Sequence, residues 1–146
     1  LGDVYKRQEG WNLPVQNFDF EIPYPFSYLE AVLICTSIVY IIVFGMVAFT
    51  LFVSARMKNG LPVLAVTLFV FLIAFFLKRS DTNGIYNHIL YLLPYNAMDH
   101  GIRTMCSYPF GGVVFDYIGM RYVVYLLLLV VLMPFAGRAF KRHQVQ

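Results

Sequence analysis

Three long blocks of apolar residues, nearly empty of charge, organise the chain. They cover about residues 29–53, 61–77 and 122–137. A helix needs roughly 20 apolar residues to cross the hydrocarbon core of a bilayer, which is about 30 Å thick. At 1.5 Å per residue the first block reaches about 37 Å and the second about 25 Å. Lys78 and Arg79 can extend the second block by placing their charges at the interface. The pattern therefore predicts three membrane-spanning helices.

The ends of these blocks carry helix-boundary signals. Ser27 and Glu30 form a Ser-x-x-Glu capping box ahead of the first block. Pro62 stands in the first turn of the second block, where proline is tolerated, and Pro134 in the last turn of the third predicts a bend. A carboxylate near a membrane span can also bind a cation, but helix capping is the simpler explanation of Glu30.

The segment between the second and third blocks, residues 85–121, is apolar in parts but broken. Its run at 85–98 is too short to cross a bilayer, and Pro94 interrupts it. Runs of this length are typical of re-entrant or interfacial helices. Residues 113–118, after Gly111 and Gly112, suggest a second short helix. We therefore expect an all-α polytopic membrane protein with three transmembrane helices and an outer-side re-entrant or interfacial helical segment. The alternative is a wholly extracellular loop with one surface helix.

The placement of basic residues predicts the orientation. The turn at 54–60, with Arg56 and Lys58, and the tail after Gly137 are short and basic, whereas residues 9–28 contain no Lys or Arg. The positive-inside rule then places the turn and the C-terminus in the cytoplasm. Residues 9–28 become an extracytoplasmic loop, residues 29–146 the membrane domain, and residues 85–121 face outward.

Four basic residues lie on the predicted outer side, although the positive-inside rule places basic residues in the cytoplasm. They are spread over a long segment and are offset by three aspartates, so they do not reverse the orientation. The basic residues are Lys78, Arg79, Arg103 and Arg121, and the aspartates are Asp81, Asp99 and Asp116.

The composition gives no sign of catalysis. The chain is 60% hydrophobic and 13% charged, whereas soluble domains are nearer half apolar and a quarter charged. Cys35 and Cys106 are isolated thiols, and the grouping of His88, Asp99 and His100 lacks the spacing of a zinc site. We expect no enzyme, no catalytic, cofactor-binding or metal site, no cofactor and no nucleic-acid partner.

The first eight residues, Leu1–Gln8, resemble translated adapter sequence of the kind that contaminates the ends of assembled nucleotide sequences. We treat residues 1–8 as a non-native artefact. The native chain is then expected to begin near Glu9, with its upstream part missing.

The order of elements resembles the C-terminal half of a bacterial type-2 ABC transporter permease. An inward span, a short basic turn, an outward span, a broken outer segment and a last inward span follow one another from about Tyr28 onward. The motifs that carry the resemblance are Tyr-Leu-Leu-Pro-Tyr-Asn at 91–96, Ser-Tyr-Pro-Phe-Gly-Gly at 107–112 and Phe-Lys-Arg-His-Gln-Val at 140–145. The first three spans of the family and its cytoplasmic coupling helix have no counterpart here.

The resemblance implies a membrane-spanning permease subunit, present as a fragment, of an ATP-driven ABC transporter that works as an exporter. It implies a separate ATP-binding subunit, a second permease subunit in a homo- or heterodimer, and the lipid bilayer as partners. The re-entrant segment would close the outer end of the pathway. The protein would be a multi-pass protein of the cell membrane. The competing hypothesis is a small non-transporting membrane anchor or assembly protein.

Overall fold

The computed structural model describes residues 11–17, 22–81, 84–99 and 102–144. This part of the chain is mostly helical. A 3₁₀ turn at Val15–Asn17 precedes the helices. The elements that follow are α1 (Tyr28–Ser54), α2 (Gly60–Phe76), α3 (Gly84–Leu92), α4 (Pro94–Asp99), β1 (Ser107–Phe110), β2 (Val113–Asp116) and α5 (Tyr117–Gln144).

Two of the helices are long and apolar enough to cross a membrane. They are Tyr28–Ser54 and Tyr117–Lys141. The helix α2 is shorter, at 17 residues, and equally apolar in character. The blocks predicted at 29–53 and 61–77 differ from α1 and α2 by one residue at each end. The block predicted at 122–137 is only the middle of α5.

The earlier start of α5 changes the place of several residues. Because α5 begins at Tyr117, Arg121 belongs to a helix and not to the outer loop. Pro134, expected in the last turn, lies inside a helix that continues to Gln144. The helix therefore tolerates the loss of one backbone donor at Pro134.

The capping box predicted for α1 is present. The Ser27 backbone N–H donates to a Glu30 carboxylate oxygen at 2.9 Å, and the Glu30 N–H donates to the Ser27 hydroxyl at 3.4 Å. The Glu30 side chain is thus engaged at the helix N-terminus, as the sequence predicts.

The main helix packing joins α1 to α5, whereas α2 packs chiefly against α4. Ile38, Ile42 and Gly45 are buried on one face of α1. A Cβ atom at Gly45 would come within 2.8 Å of the Tyr125 ring, closer than real Cβ contacts allow. The absence of a side chain at Gly45 therefore lets α1 and α5 approach each other closely.

A β-hairpin replaces the second short helix expected at 113–118. β1 pairs antiparallel with β2, with Phe110 opposite Val113. Gly111 and Gly112 form the two-residue turn with φ of 57° and 90°. Positive φ at both central residues is the condition of a type I′ hairpin turn, and glycine meets it without steric cost. The all-α prediction is therefore wrong for residues 107–116.

The close approach at Gly45 gives a first prediction. Gly45→Leu should lower the free energy of unfolding by about 1–3 kcal/mol, because the new side chain overpacks the contact with Tyr125. Thermal unfolding of the protein in detergent micelles, followed by circular dichroism, measures the change.

The matched control is Gly137→Leu, since Gly137 is a helical glycine of α5 with no neighbouring atom near its Cβ position. That variant should unfold at the temperature of the unmodified protein or slightly above it. Equal losses in both variants would contradict a close helix contact at Gly45.

Candidate functional site

The site is the break between α3 and α4. The first helix ends at Leu92 and the second begins at Pro94. In a continuous helix the Leu90 carbonyl would accept a hydrogen bond from the N–H of residue 94, but proline has none. The Leu90 carbonyl instead accepts from the Asn96 side-chain amide at 3.0 Å and from the Leu93 N–H at 3.3 Å. Asn96 is itself buried.

Two tyrosines of α5 satisfy the next carbonyls at the end of α3. The Tyr117 hydroxyl donates to the Tyr91 carbonyl at 2.8 Å, and the Tyr125 hydroxyl donates to the Leu92 carbonyl at 2.8 Å. Such carbonyls have no donor within their own helix. Both tyrosines are almost fully buried, so water does not provide these donors.

Arg121 lies between these tyrosines and bonds to the second helix of the pair. Its Nη1 donates to the Ala97 carbonyl at 2.9 Å. The guanidinium also lies 4.1 Å from the centroid of the Tyr117 ring, in a cation–π contact. The side chain is 0% exposed, which makes it the largest fully buried side chain in the described part of the protein.

These three α5 residues share one helix face. Tyr117, Arg121 and Tyr125 follow one another at intervals of four, which aligns them along the helix. We call them the α5 clamp, because their donors meet carbonyls of α3 and α4 on both sides of the break.

A second cation extends the arrangement beyond the clamp. The Arg79 guanidinium lies 4.5 Å from the centroid of the Tyr91 ring, and that ring contacts the Tyr117 ring at 5.9 Å. Arg79 and Arg121 thus flank a pair of tyrosine rings. The loop after α2 is thereby connected to the clamp by aromatic contacts.

The hairpin attaches to the same region through Tyr108. Its hydroxyl donates to the His88 carbonyl at 3.0 Å, and its ring lies 4.9 Å from the His88 ring. Burial raises the pKa of Tyr108 above its ordinary value, so the hydroxyl stays protonated and remains a donor. The hairpin therefore fixes the first half of α3.

Of the three residues considered as a metal or general-base cluster, only His88 has a described side chain, and its ring makes a tilted contact with the Tyr108 ring. The Asp99 side chain and His100 lie outside the described residues. Among the residues that are described, no three His, Cys, Asp or Glu side chains are placed to hold a metal ion. Cys35, on α1, and Cys106, before β1, are free thiols.

Arg121 is the residue that the sequence interpretation placed wrongly. The sequence predicts it in the outer segment, because it precedes the third apolar block. The signal that could have found it is the Tyr117-Arg121-Tyr125 spacing, which continues the helical period across the assumed boundary. The α5 clamp supplies hydrogen-bond donors for main-chain carbonyls and not a reactive group.

Comparison with known protein families, with curated proteins and with solved structures finds no match to this chain.

The clamp gives a second prediction. Tyr125→Phe should lower the free energy of unfolding by about 1–3 kcal/mol, because the half-buried Leu92 carbonyl loses its donor. Thermal unfolding in the same detergent measures the loss.

Tyr40→Phe is the matched control, since the Tyr40 side chain is 61% exposed on α1. It should leave stability within about 0.5 kcal/mol of the unmodified protein. If Tyr125→Phe is equally neutral, the hydrogen bond to Leu92 does not hold α3 against α5.

Proposed function

We propose that this chain is the C-terminal, membrane-spanning half of a permease subunit of an ATP-driven type-2 ABC transporter, and that the transporter is an exporter. The observation that carries the proposal is the broken helix pair α3–α4, which α5 holds by hydrogen bonds to carbonyls on both sides of the break. The separate ATP-binding subunit and a second permease subunit are its proposed partners.

The exposed apolar surface of the helices supports their placement in a bilayer. In the most apolar windows of α1 and Tyr117–Lys141, only 22% and 11% of the residues are buried. Leu33 and Phe44 on α1 and Leu127 on α5 have more than half of their surface exposed. A core helix of a soluble protein would bury these side chains, whereas lipid solvates them at no cost. With α2 as the short third span, the protein is a multi-pass protein of the cell membrane.

The clamp supports re-entry of α3 and α4. Non-helical backbone at membrane depth is tolerated only where protein buries it or where it lines a wet cavity. The carbonyls of Leu90, Tyr91, Leu92 and Ala97 all accept side-chain donors, which meets the first condition. The pair therefore enters the membrane from one side and returns to it.

The hairpin supports the proposal that α3 and α4 enter the membrane from its outer side. Its two strands pair only with each other among the described strands, so both outer edges need water or protein as hydrogen-bond partners. It belongs at the outer surface, next to the N-terminus of α5. The basic residues Arg56, Lys58, Arg138 and Lys141 then lie on the opposite, cytoplasmic side with the C-terminus.

A re-entrant pair in this position gives the protein a gate. In the dimer that we propose, α3 and α4 close the outer end of the pathway between the two permease subunits. The clamp determines how firmly they close it. In this proposal the separate ATP-binding subunit drives the change.

The genomic locus and a co-purification test this function. The reading frame upstream of Glu9 should encode three further spans with a basic amphipathic loop, next to a gene for an ABC ATPase. When the complete permease and the tagged ATPase are expressed together, they should co-purify in detergent. Tagged ATPase expressed alone is the control for aggregation. An independent start codon near Glu9, with no ATPase retained by the chain, would instead identify the small membrane anchor or assembly protein.

Single cysteines at residues 85–100 test re-entry, in a variant with Cys35→Ser and Cys106→Ser. A membrane-impermeant maleimide added to intact cells should label both ends of this segment rapidly and residues 90–93 slowly, because these lie at depth. Lys58→Cys in the cytoplasmic turn should react only after permeabilisation. Uniform rapid labelling of the segment would show that it lies wholly outside the membrane.

A further inference from the structure

A cavity of about 320 Å³ opens beside the α3–α4 break, where α2 ends. It adjoins the clamp, since Tyr91 lines the cavity and its carbonyl accepts from Tyr117. One side of the cavity is apolar and the other polar. The apolar side includes Phe75, Leu77 and Leu90, and the polar side includes Arg79, Tyr95 and Asn96.

Arg79 supplies the only charge among the residues that line this cavity. Its guanidinium lies 4.5 Å from the centroid of the Tyr91 ring, in a cation–π contact that places the charge at the cavity. The planar fork of a guanidinium matches two phosphate oxygens and is a stronger phosphate donor than a lysine of equal charge. Because no lining carboxylate competes for Arg79, the cavity favours an anion.

The aromatic side of the cavity is also well fixed. The Tyr95 ring contacts the Phe75 ring edge-to-face at 5.7 Å and the Phe71 ring at 6.4 Å. These contacts hold the Tyr95 ring in place on α4, at the wall of the cavity. The site is therefore built from both α2 and α4.

The surroundings of the cavity favour a lipid over a soluble anion. Phe75 and Phe76 are 66% and 76% exposed at the end of the apolar helix α2. Arg79 follows Phe76 after two further residues, at the level where an apolar helix passes into the headgroup region. A ligand with a phosphate and an apolar stem satisfies both sides of the cavity, whereas inorganic phosphate satisfies only one.

We propose that this cavity binds the phosphate group of an anionic phospholipid, with Arg79 as the anion-binding residue and Tyr95 as a second donor. The glycerol and the start of the acyl chains lie along Phe75, Leu77 and Leu90. The site does not require the chain to be a transporter, since it depends only on α2 and the α3–α4 pair.

Native mass spectrometry of the purified full chain tests the site. The protein is incubated in detergent with phosphatidylglycerol, or with a diacylglycerol of the same acyl chains that lacks the phosphate. The unmodified protein should retain phosphatidylglycerol and not diacylglycerol. Equal retention of the two would overturn the proposal without any variant.

Substitutions of Arg79 and of its basic neighbour Lys78 test which residue binds the phosphate. Arg79→Gln should reduce the bound fraction about tenfold, because it removes a charge-assisted hydrogen bond. Lys78→Gln is the matched control, since it removes an adjacent positive charge that does not line the cavity. Arg79→Lys should restore part of the binding, which separates loss of the site from loss of folding. Equal losses in Lys78→Gln and Arg79→Gln would show a diffuse surface effect and overturn the proposal.

A competition distinguishes the two sources of phosphate. Millimolar inorganic phosphate should not displace phosphatidylglycerol if the apolar side of the cavity contributes to binding. Displacement of the lipid by inorganic phosphate would make the site a soluble-anion site and would overturn the assignment to a phospholipid.

Discussion

A helix that is broken inside an apolar bundle must find donors for the carbonyls that the break exposes. Each carbonyl left buried without a donor would cost about 1–3 kcal/mol. In this protein Asn96 serves one of them locally, and Tyr117, Arg121 and Tyr125 serve the others from α5. The mutual positions of α3, α4 and α5 depend on these hydrogen bonds, because apolar contacts alone do not specify a register.

The clamp depends in turn on how closely α1 approaches α5. Gly45 leaves room for the Tyr125 ring, and the Ser37 hydroxyl bonds with the Tyr122 hydroxyl farther along the same interface. Ile38 and Ile42 fill the space between these contacts. The α1–α5 interface therefore holds α5 at the rotation that turns the clamp toward the break.

The contacts around the α3–α4 break connect the proposed outer gate with the proposed lipid site. If α3 and α4 close an outer gate, opening it requires the carbonyl hydrogen bonds of the clamp to be exchanged for others. Tyr91 belongs to both regions, since its carbonyl accepts from Tyr117 and its ring carries Arg79. A phospholipid bound at Arg79 would then act on the same tyrosine that accepts a hydrogen bond from Tyr117 of α5.

The sequence by itself determined the helices α1 and α2, the capping box at Ser27 and the break at Pro94. Apolar blocks, an end-capping motif and a missing backbone donor act over a few residues and do not need distant partners. Only the tertiary structure decided that 107–116 forms a hairpin and that Arg121 is buried. Gly111 and Gly112 allow several turn conformations. The hydrogen bond from Tyr108 to the His88 carbonyl favours strand pairing. In the sequence, Arg121 is only a basic residue next to an apolar block. It lies inside the bundle because it donates to the carbonyl of Ala97, which is distant in sequence.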